Sequence, residues 1–198
     1  MEPSTGTRGL KLSTAKKKFF PDLKSFIVSA FAVLLLLGFF ALVTDYNNVR
    51  RLHRYSWEAE SLREATYSVI EQRIGYAKAL VRVIDHQIDT TAVEDALSRY
   101  SSEDPIDQVS QTYIALDEAL AALQRVAVED ESYRLWSPYF DQIFILELEL
   151  LEVSALYHER AEYFNNQKRG FPALLVAKRH NLEDLLLFDF GSALKGRP

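Results

Sequence analysis

Cysteine is absent from the 198 residues, which removes disulfide staples, thiolate metal sites and cysteine nucleophiles together. Turn formers are scarce where a β-fold would need them. Between Tyr46 and Arg169 there is one glycine, Gly75, and two prolines, Pro105 and Pro138. A sandwich or barrel needs a turn every ~8–12 residues, and a phosphate loop needs clustered glycines, so long helices are the economical reading. Ligand patterns are missing too. His53, His86, His158 and His180 fall on separate segments, with no Glu-x-x-His and no His-Glu-x-x-His, so neither a di-iron helix pair nor a zinc helix is encoded. Asp85-His86 and His158-Glu159 are sequence neighbours that diverge by ~100° on a helix and form no ready dyad. No catalytic residue, metal or cofactor is expected, and the chain does not read as an enzyme.

Charge of either sign is absent from Ser25 to Thr44, and this gap divides the chain. Residues 1–24 carry six cations and two acids, for a charge of +4; with −5 overall, residues 45–198 carry −9. The gap, SFIVSAFAVLLLLGFFALVT, covers 20 residues. At ~1.5 Å per residue it matches the ~30 Å hydrocarbon layer. A cleaved leader has an apolar core of only ~7–15 residues and a small-x-small cleavage site, and Ala41-Leu42-Val43 does not supply one. The stretch therefore reads as a transmembrane signal anchor, with Lys24 placed to snorkel to the headgroups.

Five cations flank the span on its amino-terminal side and four (Arg50, Arg51, Arg54, Arg63) on the other. The compact Lys16-Lys17-Lys18 cluster and the acidic bulk beyond Thr44 favour an amino terminus inside and the rest outside. Residues 1–24 are expected to be a basic, disordered cytoplasmic tail and 191–198 a disordered end.

Beyond the span, a first helix is expected over about 46–86, with Ile70, Ile74, Ala77, Val81, Ile84 and Ile88 forming one stripe. Thr91-Ala92-Val93-Glu94 has the form of a capping box for a short helix. Asp104, followed by Pro105, is the expected N-cap of the next. Its Ile106, Val109, Tyr113, Leu116, Leu120, Leu123 and Ala127 are spaced 3-4-3-4-3-4, a coiled-coil seam. The acidic turn 129–131 leads into a final long helix, about 132–168, whose Ile143–Leu151 middle is apolar on most of its circumference and is expected to be the most buried element. Gly170 is the expected left-handed C′ residue and Pro172 the stop signal. The fold class is all-α: a transmembrane helix, then an elongated antiparallel bundle of three to four helices over 45–190.

Candidate functional residues lie on that last helix and after it. Tyr133, Trp136, Tyr139 and Phe140 cluster at helical spacing, which suits core packing but is also the composition of interface hot spots, so Trp136 and Tyr139 are kept as candidates. Glu152, Glu159 and Glu162 share a face that either points to water or docks a basic partner. The tail Leu182–Phe190 carries apolar surface that three helices do not need, making Leu182, Leu186, Phe188 and Phe190 candidate contacts with a bundle end, a bilayer or a partner. A domain at −9 lacks the basic stripe that nucleic acid requires.

With these features in place, the chain resembles the LemA family of bacterial membrane proteins. The resemblance rests on the anchor followed at once by Tyr46-Asn47, the long helices joined by an acidic turn, the half-kept dipeptides Tyr157-His158 and Phe164-Asn165, and Arg169-Gly170-Phe171-Pro172 before Leu174-Leu175-Val176-Ala177. It covers most of residues 26–190 and departs in the first helix, where Gln72-Arg73 and Tyr76-Ala77-Lys78-Ala79-Leu80-Val81 replace a more specific motif, and at Lys178-Arg179-His180-Asn181, which replaces a glycine-bearing tail. It implies a membrane-tethered LemA-type bundle without established catalysis, in a family of uncertain function whose relatives take part in envelope processes and magnetosome membrane biogenesis. The expected role is a scaffold or adaptor of the cell envelope or an internal membrane. Its partners would be the lipid bilayer, an unidentified protein and further copies of itself. The alternative is a sensor-like ectodomain that binds a ligand and signals through the anchor.

Overall fold

The computed structural model describes residues 22–84 and 87–190. Five helices and no strand occur among them: α1 Leu23–Ile84, α2 Thr91–Ser98, α3 Ile106–Ala127, α4 Tyr133–Arg169 and α5 Ala173–Arg179. The expectations for residues 1–21 and 191–198, and the helix end at His86, lie outside the described residues. The chain divides into two compact units, one ending at Val43 and one beginning at Thr44.

The first unit contains the amino-terminal part of α1. The Asp22 carboxylate accepts the Ser25 N–H at 2.7 Å, an N-cap that satisfies one of the helix's orphan donors. From Leu23 to Val43 every large apolar side chain is exposed, and the helix carries a window of mean hydropathy 2.9 with nothing buried. It is long and apolar enough to cross a membrane.

In the second unit, α1 from Thr44 onward packs with α3 and α4 around one core, with α2 closing its end near Ile84. All seven residues of the α3 seam are buried, as their spacing requires. Opposite them stand Ile70, Ile74, Ala77 and Leu80 of α1 and Trp136, Phe140, Ile143, Leu146 and Leu150 of α4. A smaller cluster joins Leu52 of α1, Phe164 of α4 and Ala173, Val176 and Ala177 of α5.

Four local expectations differ from what is observed. The cap of α2 sits one residue early: Thr90 donates its hydroxyl to Glu94 at 2.7 Å, and Asp89 accepts the Thr91 N–H. Pro105, not Asp104, holds the N-cap position of α3, in extended conformation with no side-chain cap. Asp104 is engaged elsewhere, its carbonyl accepting the Tyr67 hydroxyl. Gly170 is extended rather than left-handed, and the left-handed position falls at Asn181, with φ 50°. There the Leu182 N–H returns to the Ala177 carbonyl at 3.0 Å, closing α5 in a Schellman pattern with Asn in the usual place of Gly. The middle of α4 is one-sided: Ile143, Leu146, Glu147 and Leu150 turn inward while Ile145, Leu148 and Leu151 stay exposed.

After Asn181 the chain has no regular structure, yet it does not leave the bundle. Phe188 and Phe190 are 3% and 4% exposed. Residues 182–190 form a strap across the helices.

Candidate functional site

Two surfaces gather the residues singled out above: the outward face of α4 and the strap. On α4, Ile145, Leu148, Glu152, Leu156, Glu159 and Tyr163 follow at steps of 3, 4, 4, 3 and 4, and so share one stripe about 27 Å long. All six are exposed, Ile145 to 51% and Leu156 to 46%. Only at its Tyr163 end does the stripe meet another helix, in an edge contact with Tyr55 of α1. Glu162 is also exposed, to one side and beside His158. The face therefore joins Glu152 and Glu159 to an apolar row whose Ile145 and Leu148 lie in the stretch expected to be most buried.

Trp136 is wholly buried against the seam, and Tyr139 is half-buried beside it. The candidate tail residues separate in the same way. Leu186 is exposed and Leu182 half-buried, whereas Phe188 and Phe190 are core. Phe188 meets Tyr67 and Tyr157 edge-on at 5.5 and 5.4 Å between centroids and stacks on Phe190, which leans on Tyr113. Phe188 and Phe190 thus belong to the core cluster, where the three helices were expected to cover one another without them.

The strap is held chiefly through its backbone. Asn165 donates to the Leu185 carbonyl and accepts the Leu185 N–H, at 2.9 and 2.8 Å. Tyr157 donates to the Leu186 carbonyl, Lys168 to the Leu182 carbonyl, and the Ser110 hydroxyl accepts the Asp189 N–H. Asp184 pairs with Lys168 at 2.6 Å and with Arg169, and the bonds from these two cations hold its carboxyl below the usual range. Burial pushes the Tyr157 hydroxyl up to about 12, so it remains a donor. Burial also lowers the His158 imidazole, against the opposing pull of Glu162 and the strap at Phe188 and Asp189. Between the strap and α1 an open cleft of about 940 Å³ remains.

Sequence reasoning missed the most unusual polar group in the unit. Arg73 of α1, 1% exposed, reaches Asp117 of α3 at 2.7 Å and Glu147 of α4 at 3.4 Å, and its guanidinium lies 4.6 Å from the centre of the Tyr113 ring. One cation thus ties three helices. A signal existed: Arg73, Asp117 and Glu147 each stand beside a stripe residue, next to Ile74, Leu116 and Leu146. Among the described residues no three His, Asp or Glu side chains converge as metal ligands do.

The class these features define is a helical unit joined to a helix able to cross a membrane. No known protein family, curated protein or solved structure matches the chain.

Proposed function

We propose that the protein is a membrane-anchored helical scaffold or adaptor, acting through contacts with another protein at the outward face of α4. The observation that carries this reading is the exposed row Ile145, Leu148, Leu156 and Tyr163 interleaved with Glu152 and Glu159. Solvated helix faces are usually polar throughout, and large exposed apolar side chains repeated along one face between carboxylates mark a contact surface. The matching partner is an amphipathic helix with apolar anchors at i, i+3, i+7 and a flanking row of Lys or Arg; its charges would steer the encounter and set register. An amino terminus inside, a bacterial membrane and membership of the LemA family belong to the same proposal, supported by the Lys16–Lys18 cluster and the motifs around Tyr46, Phe164 and Phe171.

A photo-crosslinking residue placed at Leu148 or Leu156 in the full chain is expected to capture one stoichiometric protein, while the same residue at exposed Gln111 of α3 captures none. Leu148→Glu with Leu156→Lys is expected to abolish co-purification from detergent while leaving the helical melt intact. Equal crosslinking from all three positions, or undiminished co-purification of the double variant, overturns the reading.

A further inference from the structure

A second surface lies where α1 enters the second unit. The apolar run ends at Thr44, and Asp45 to Arg54 are the next three turns of the same helix. Asn47, Arg50, Arg51 and Arg54 line a recess of about 440 Å³ there. All three arginines are exposed. Arg51 is steadied by the Asn48 side chain at 2.9 Å, Arg54 reaches Glu58 only at 3.7 Å in an exposed pair of little strength, and Arg50 has no carboxylate partner among the described residues. Helical side chains lean toward the helix amino terminus, and Arg51 does so, its guanidinium meeting Asn48 one turn nearer Thr44.

The carboxyl-terminal part of the unit returns to the same level. α4 runs antiparallel to α1, with Glu147 against Arg73 and the Tyr163 ring 4.9 Å from that of Tyr55. By that register the turn at Gly170–Pro172 lies level with about Val49. α5 packs on Val49, Leu52 and Tyr55, and Arg179 pairs with Asp45, the one acid between 45 and 54. The stretch 171–180 holds no acid at all. It presents Phe171 at 85% and Leu175 at 60% exposure, with Lys178 and Arg179 on its last turn. Exposed cations, more numerous than the acids beside them, and large exposed apolar side chains thus flank α1 on both sides within about 15 Å of the last residue of the apolar run.

We propose that this end of the unit is a docking surface for an anionic membrane. Arg50 and Arg51, with Lys178, bind the phosphates of anionic phospholipids, Arg54 and Arg179 add to the positive field behind them, and Phe171 and Leu175 seat at the boundary between headgroups and acyl chains. The headgroup layer is roughly 5–7 Å deep on each side, and Arg50 stands about 9 Å beyond Thr44, within reach of a side chain inclined toward it. Guanidinium groups suit this task because they grip phosphate oxygens with two parallel N–H donors and shed water more readily than ammonium. The apolar pair resembles the buried edge of an interfacial helix rather than a spanning one. This inference rests on the reading that residues 25–44 cross the membrane.

Native mass spectrometry of the full chain released from detergent is expected to show retained phosphatidylglycerol in preference to phosphatidylcholine. Arg50→Gln with Arg51→Gln and Arg54→Gln is expected to lower that preference on the order of fivefold for each arginine removed. Lys16, Lys17 and Lys18 replaced by Gln are expected to leave most of it. Since the chain has no cysteine, a polarity-sensitive dye on Phe171→Cys reports depth directly; in phosphatidylglycerol vesicles its emission is expected to shift to the blue and be quenched by a lipid-borne quencher, unlike the same dye on Gln111→Cys. A lipid preference that follows Lys16–Lys18, or a dye at 171 that behaves as at 111, overturns the proposal. Alkaline carbonate distinguishes the two levels: a chain that stays in the vesicles without lipid preference overturns only this surface, whereas extraction of the wild-type chain overturns the anchor as well.

Discussion

At the residue scale, Arg73 decides most. Its two carboxylate neighbours are 4% and 2% exposed, so removing the cation leaves them buried without their shared partner. Arg73→Met is expected to cost ~3–5 kcal/mol, measured as a lower denaturation midpoint of the purified chain. Arg73→Met combined with Asp117→Leu and Glu147→Leu is expected to recover most or all of that loss, because apolar groups of similar volume carry no desolvation penalty. A triple variant as unstable as the single one would show that the ions hold the three helices in register in a way that packing cannot replace. His158 makes a second residue-scale prediction. Its folded form resists protonation because of burial, so the unfolded chain binds the extra proton first as pH falls below ~6.5. Stability is expected to fall from pH 7 toward the folded-state value and then level off. In His158→Gln this component is expected to vanish, seen as a shallower Tm profile between pH 7.5 and 5; parallel profiles would refute it.

At the element scale, the strap and the α3 seam are both core, for different reasons. The seam is legible because its 3-4 spacing is a local property of one helix. Leu120→Asp places a carboxylate where 2% of the residue is exposed and is expected to abolish the cooperative melt, an unpaired buried charge costing as much as a domain's whole stability. The strap has no period to read. Phe188 and Phe190 look like surface apolar residues until the groove that receives them is known, and the side chains of Asn165, Tyr157 and Lys168 that grip its backbone come from the outer turns of α4. Phe188→Ala and Phe190→Ala are each expected to lose ~3–5 kcal/mol by chemical denaturation, far above the few tenths expected for exposed Leu186→Ala. The converse holds for α4. Its middle is apolar around most of the helix, and composition alone cannot say that α1 and α3 cover only one side.

At the scale of the whole molecule, placement on either side of a membrane rests on cations near the span. Lys16–Lys18 before it and Arg50, Arg51 and Arg54 after it are close to balanced, and the expectation of an outer second unit rests on the compactness of the lysine cluster together with the acidic bulk beyond Thr44, which the negative inner surface repels. Ser4→Cys is expected to be protected from, and Gln111→Cys open to, an impermeant thiol reagent in intact cells. The reverse pattern would put the second unit inside, where inner-leaflet anionic lipid would meet the arginines.

The sequence by itself determined the apolar span, the all-helical class and the α3 seam, because length, missing turn formers and helical period are written locally. The strap's burial, the Arg73 tie, the open stripe on α4 and the pairing of α5 with the first turns after Thr44 were decided only in the tertiary structure. Each depends on which distant surface a side chain meets: a buried arginine and a solvated one have the same neighbours in sequence, and only the carboxylates brought from residues 117 and 147 make the buried state of Arg73 tolerable.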